Sequence, residues 1–134
     1  MLLEGTILPL ILSFALLLGL PMQDQREAAI KSTQADVEGY KYDEDVGLQY
    51  KGVTRAIVRA ENAGRCRTKF ILEEEGSVVL DWTAIKAVTA QKYQVDLTTA
   101  KPSEAMRFEV DLADQATNFA EVFDYLRAAC AGRK

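Results

Sequence analysis

The stretch AMRFEVDLADQATNFAEVFDYLRAAC, residues 105–130, changes its period part-way. Met106, Phe108, Val110 and Leu112 alternate with Arg107, Glu109 and Asp111, the pattern of a strand with one buried face. Beyond Asp114, a residue suited to cap a helix, the apolar spacing becomes three and four. Phe119, Val122, Phe123, Leu126 and Cys130 then share one stripe. A strand running into an amphipathic helix has two apolar faces to bury, and laying the helix across the sheet buries both.

The residues upstream supply that sheet. CRTKFIL (66–72) puts Cys66, Thr68, Phe70 and Leu72 on one face, and SVVLDW (77–82) turns Val78, Leu80 and Trp82 inward. KYQVDL (92–97) alternates through Tyr93, Val95 and Leu97, while TAIKAV (83–88) suits a helical turn or a bulged strand burying Ile85 and Val88. EEEG (73–76) and KPSE (101–104) read as turns. QYKGVTRAIVRAENA (49–63) reads as a helix burying Val53, Ile57 and Ala60, with Gly64 just past its end. A strand over Thr54–Arg59 is the alternative, because its β-branched content is high. The fold class is therefore α+β: an antiparallel sheet of four to five strands, or a partial barrel, packed against a C-terminal helix.

Residues 1–22, MLLEGTILPLILSFALLLGLPM, are apolar almost without break from Thr6 and carry no polar stripe. They predict an N-terminal hydrophobic helix acting as a signal peptide or membrane anchor. Residues 23–48 read as a polar linker, in which Gln23–Val37 could form a helix with a thin apolar face, and 49–132 as the small α+β domain. Arg26, Lys31 and Lys41 follow the apolar run, which by the positive-inside rule favours a cytoplasmic domain.

The two cysteines argue the opposite. Cys66 opens a strand on its core side and Cys130 closes the last helix on its core side. A helix folded back over the sheet brings those ends together, so a Cys66–Cys130 disulfide is expected. Two separate buried thiols in a cytoplasmic domain are the alternative. A disulfide persists in an oxidising compartment, which favours a periplasmic or other extracytoplasmic location.

Composition removes several chemistries. The chain has no histidine, so it holds no Ser-His-Asp or Cys-His site and no imidazole-bound zinc. No glycine-rich phosphate signature occurs, and no cofactor or metal is expected. A net charge of −4 weighs against nucleic acid as a partner. Tyr42–Asp45 and Glu73–Glu75 read as solvated acidic clusters, and Arg65, Arg67 and Lys69 as the wet face of a strand. Asp81, beside Trp82, is the best candidate for a carboxyl in an apolar setting; its ordinary reading is an outward strand residue paired with a Lys or Arg. Trp82, Tyr93, Phe70 and Phe108 fall on the core side by their phase.

VVLDWTAIKAV (78–88), YQVDL (93–97), MRFEV (106–110) and FAEVFDYLRAAC (119–130) together resemble pleckstrin-homology-like bacterial domains. The Cys…Asp-Trp…Cys layout is similar to that of small uncharacterised bacterial exported proteins. The first resemblance implies a bent antiparallel barrel capped by the last helix, with more strands than the alternation marks. Phosphoinositide-binding members of that family carry a basic first hairpin loop. The loop read as the first hairpin here is EEEG, so headgroup binding is not implied, and neither resemblance implies a catalytic residue.

These readings point to a non-catalytic envelope domain, tethered through residues 1–22 or secreted, that binds a protein partner in the cell envelope. Two alternatives come from other classes. One is a minimal carboxylate hydrolase acting on a glycan through Asp81 or a nearby glutamate; the other is a lipid-surface binding module with a coherent cationic face.

Overall fold

The computed structural model describes residues 22–42 and 45–131. The apolar run expected to be an anchor or signal peptide lies outside them, apart from Met22. Among the described residues no helix is long and apolar enough to cross a membrane.

The chain begins with helix α1 (Met22–Gly39), then makes four strands: β1 (Gly47–Tyr50), β2 (Val53–Asn62), β3 (Arg67–Leu72) and β4 (Gly76–Asp81). A 3-10 turn at Trp82–Ala84 leads to β5 (Ile85–Gln91), β6 (Gln94–Thr99), β7 (Met106–Glu109) and the closing helix α2 (Ala113–Ala131). All strand pairs are antiparallel, in the order β4-β3-β2-β1-β7-β6-β5. The sheet's edge strands, β4 and β5, are joined by only the three residues of the 3-10 turn. The sheet must therefore curl until its edges approach, and α2 packs against that turn and β5.

The core lies inside the curl. Leu48, Ile57, Phe70, Leu80, Val95, Leu97 and Phe108 meet Trp82 and the Phe119, Phe123 and Leu126 stripe of α2, all of them buried. Trp82 carries its only polar atom into this interior, where Nε1–H donates to Thr68 Oγ1 at 2.9 Å. That bond explains how a hydroxyl tolerates complete burial.

Several expectations change. The helix expected over Gln49–Ala63 is a hairpin, β1 and β2, so the sheet has seven strands and not four to five. Lys51 and Gly52 turn it with φ of 53° and 81°, a two-residue loop whose positive φ values match the twist of paired strands. The helical reading failed for an identifiable reason. A β-bulge between Ile57 and Arg59 shifts the strand's phase, so Ile57 and Ala60 both face the core three residues apart. Strand β5 repeats the device between Ile85 and Ala87, which accounts for the ambiguous spacing of Ile85 and Val88.

Tyr93 and Leu112 were expected inside but stand exposed, because the first lies in the β5–β6 turn and the second follows the end of β7. Asp114 lies within the first turn of α2 and does not precede it. The helix allowed for over Gln23–Val37 does form, as α1, and its thin stripe buries Ile30, Gln34 and Val37. In the EEEG turn, Glu74 and Glu75 take the positive φ while Gly76 does not. A Cβ at Gly76 would stand 2.5 Å from Arg55 Nη1, the far end of a flexible side chain that can move aside.

Candidate functional site

Helix α1 docks beside α2, and the chain leaving it crosses back over the first turns of α2 through Tyr40 and Tyr42. The space between them is a groove of about 170 Å³. Its apolar wall is Val37, Tyr40, Tyr42, Phe119, Val122 and Phe123, and its rim is Asp36, Gln115 and Asn118. Tyr40 meets Phe119 edge-on with ring centroids 4.8 Å apart and Tyr42 at 5.0 Å. Phe119 stacks on Phe123 at 5.5 Å, and Phe123 meets Phe108 and Trp82 at 4.9 and 5.2 Å. The groove floor is thus continuous with the core and held rigid by it.

The polar atoms of the two tyrosines are occupied. Gln115 Nε2 donates to the Tyr40 hydroxyl, and the Tyr42 hydroxyl donates to the Val37 carbonyl at 3.0 Å. Burial, with the nearby Tyr40 and Glu38 adding to it, pushes the Tyr42 phenol well above its ordinary pKa, so it stays neutral. The site offers aromatic surface, a carboxylate and two carboxamides.

The seam that positions α1 lies on the same stripe, toward the N-terminal end of the helix. Gln34 Oε1 accepts from the Cys66 N–H at 2.9 Å, while Nε2 donates to the carbonyls of Arg67 at 3.0 Å and Gly64 at 3.2 Å. Arg65 reaches Glu27 with two bonds of 2.6 and 2.7 Å, and that hydrogen bonding raises its pKa above the guanidinium's ordinary value. Behind this seam Cys66 and Cys130 are buried, with Cα atoms 6.0 Å apart and Sγ atoms 2.04 Å apart.

The other sequence candidates are dispersed. Asp81 is exposed and caps the 3-10 turn, accepting from the Thr83 N–H at 3.0 Å and the Thr83 hydroxyl at 2.6 Å. The apolar setting that acid catalysis would need is therefore not the one it occupies. The first hairpin loop is Lys51-Gly52, not EEEG, which turns β3 into β4. Lys51 Nζ lies 5.4 Å from the centre of the Tyr50 ring, and Arg107, on the cleft between this loop and the β6–β7 connection, is bonded to Asp96 at 2.7 Å. Tyr40, Asp36, Gln115 and Asn118 were not singled out from the sequence, and Tyr42 was read as the start of a solvated acidic cluster, whereas its ring packs against the core. The available signal was two tyrosines one residue apart in an otherwise polar segment.

No family model matches this chain, and no curated protein does. Among solved structures, the PH domain from PfAPH matches with a TM-score of 0.60 over 84% of this chain and 98% of that one, at 5% identity. Inner Membrane Complex Sub-compartment Protein 3 (ISP3) from Toxoplasma gondii matches with a TM-score of 0.54 over 75% of this chain and 86% of that one, at 12% identity. At such identities the likeness is one of fold. The chain has a pleckstrin-homology-like fold. Neither match speaks for the exported proteins whose cysteine layout it resembles.

Proposed function

We propose that this protein is a non-catalytic adaptor that binds a protein partner at an extracytoplasmic membrane surface. Residues 1–22 serve as its anchor or export signal, and a Cys66–Cys130 disulfide holds α2 to the sheet. The observation that carries the reading is the aromatic groove between α1 and α2. It is an apolar concavity with a polar rim on a rigid support, the kind of surface that receives a partner's anchor residue. The Asp81 reading loses its support to the capping bonds of that carboxylate. The buried cysteine pair favours an oxidising compartment.

The test is photo-crosslinking in the cells that make the full-length protein, with the photoreactive residue at exposed Asn118 or, as a control, at exposed Thr89 on β5. A discrete adduct from position 118 alone is expected, along with protection of both cysteines from alkylation until reductant is added. Adducts equally frequent at both positions, or none at either, would overturn the binding reading. Two thiols labelled without reductant in denatured native material would overturn the bridge and the location.

A further inference from the structure

We infer that the groove between α1 and α2 receives one large apolar side chain from a segment of a partner protein that carries lysines or arginines on both sides of it. This rests on the partner-binding reading and specifies its chemistry.

The size of the groove sets the first half. A cavity of ~150 Å³ holds a benzene ring, and the groove's 170 Å³ matches one phenylalanine or leucine side chain. A lipid acyl chain is far longer than such a space. Tyr40, Tyr42, Phe119 and Phe123 present ring edges and faces, which suit another ring or a branched aliphatic group. The Tyr42 O–H is given to the Val37 carbonyl and the Tyr40 oxygen accepts from Gln115, so the aromatic interior offers an incoming group few polar contacts.

Charge sets the second half. Asp36 stands on the α1 rim. On α2, Asp114 and Glu121 lie four residues before and three after the rim residue Asn118, which places them beside it on the exposed helix surface. None of the three carboxylates has an ion-pair partner among the described residues. The cation closest in sequence is Lys41, between the two tyrosines, and Arg127 further along α2 is held by Asp124 at 2.7 Å. An unpaired acidic rim around an apolar hole selects for flanking cations, and rejects acidic segments by like-charge repulsion.

Three fluorescein-labelled peptides test this against the full-length protein in detergent micelles: one phenylalanine flanked on each side by two lysines, the same with glutamates, and the lysine form with alanine replacing phenylalanine. Anisotropy gives affinity, and amide NMR spectra locate the site. The lysine-phenylalanine peptide should bind, shift the resonances of Asp36, Tyr40, Asn118 and Val122, and weaken as salt rises. The alanine and glutamate peptides should bind at least tenfold more weakly. Asn118→Trp should close the groove and abolish binding, while D36K/E121K should reverse the preference between lysine and glutamate peptides. These positions lie on the exposed surface, and unchanged spectra elsewhere will show that the variants fold.

Equal binding of the three peptides, shifts centred on Lys51 and Arg107, or no binding at millimolar peptide by folded protein each overturns the inference. A crosslinked partner at Asn118 together with such a result would retain the adaptor reading and reject only this occupant. Loss of both the crosslink and the peptide binding would reject the two together.

Discussion

Gln34 is the strongest test of how α1 belongs to this fold. It is a buried carboxamide on the thin apolar face of a helix, and it makes three bonds to the backbone of the turn that carries Cys66. Gln34→Met keeps the length and helix propensity of the side chain and removes all three bonds. The losses are unequal. The Gly64 carbonyl still accepts from the Arg67 N–H at 3.1 Å, and the Arg67 carbonyl from the Ala63 N–H at 3.1 Å. The Cys66 N–H is left with no partner at a residue fully shielded from water. One orphaned buried donor costs about 1–3 kcal/mol, and each carbonyl bond that retains an alternative about 0.5 kcal/mol. The expected loss is therefore about 2–4 kcal/mol, a large part of a small domain's total stability.

Urea unfolding should show this as a lower midpoint at unchanged slope. Hydrogen exchange should show faster exchange through α1 and at the Cys66 amide. Gln34→Glu sharpens the test. Its carboxylate still accepts from Cys66 but faces two carbonyl oxygens without an N–H to give. Folding then favours the protonated acid, whose pKa is raised. The variant should be weakest at neutral pH and recover as pH falls, since a group with a raised folded pKa loses its stabilising contribution as pH rises. A Gln34→Met loss below about 0.5 kcal/mol, no larger than that of an exposed substitution such as Ser32→Ala, would refute the docking of α1 on this turn.

Phe123→Ala should cost about 3–5 kcal/mol in the same assay, because it empties a site between Trp82, Phe108 and Phe119. Glu121→Ala, on the wet face of α2, should cost less than about 0.5 kcal/mol, and equal losses would mean the helix is turned otherwise. The wild-type protein should lose stability above about pH 10, where the unfolded chain's tyrosines ionise while Tyr42 is held neutral. Tyr42→Phe should flatten that alkaline slope and cost about 1 kcal/mol at neutral pH for the lost bond to the Val37 carbonyl. E74N/E75G should raise stability by about 1 kcal/mol or more by placing turn-forming residues at φ of 63° and 64°. A loss there would mean that the carboxylates themselves hold the turn.

The parts legible in the sequence were those whose period is undisturbed. Alternation marked β3, β4, β6 and β7 within two or three residues, and the three-and-four spacing of Phe119, Phe123, Leu126 and Cys130 marked the buried face of α2. Each signal is local, because side-chain direction follows from backbone period alone. Both cysteines were correctly placed on the core side for the same reason. The hairpin of β1 and β2 was read as a helix because its bulge moves Ile57 and Ala60 into helical spacing. A bulge is fixed by the register of the neighbouring strand, which the segment does not carry within itself.

The groove was illegible for a related reason. Its walls come from Val37, Tyr40 and Tyr42 on one side and Phe119, Val122 and Phe123 on the other, about 80 residues apart in the chain. Alone, the first group looked like the edge of a linker and the second like ordinary core. By itself, the sequence determined which faces are apolar, where the closing helix lies, and that none of these residues is a histidine. Only the tertiary structure decided that the sheet curls shut at Trp82–Ala84, that Asp81 caps a turn, and that α1 lies beside α2. Local sequence sets the direction of a side chain, but a cavity exists only where two distant faces meet and fail to fill the space between them.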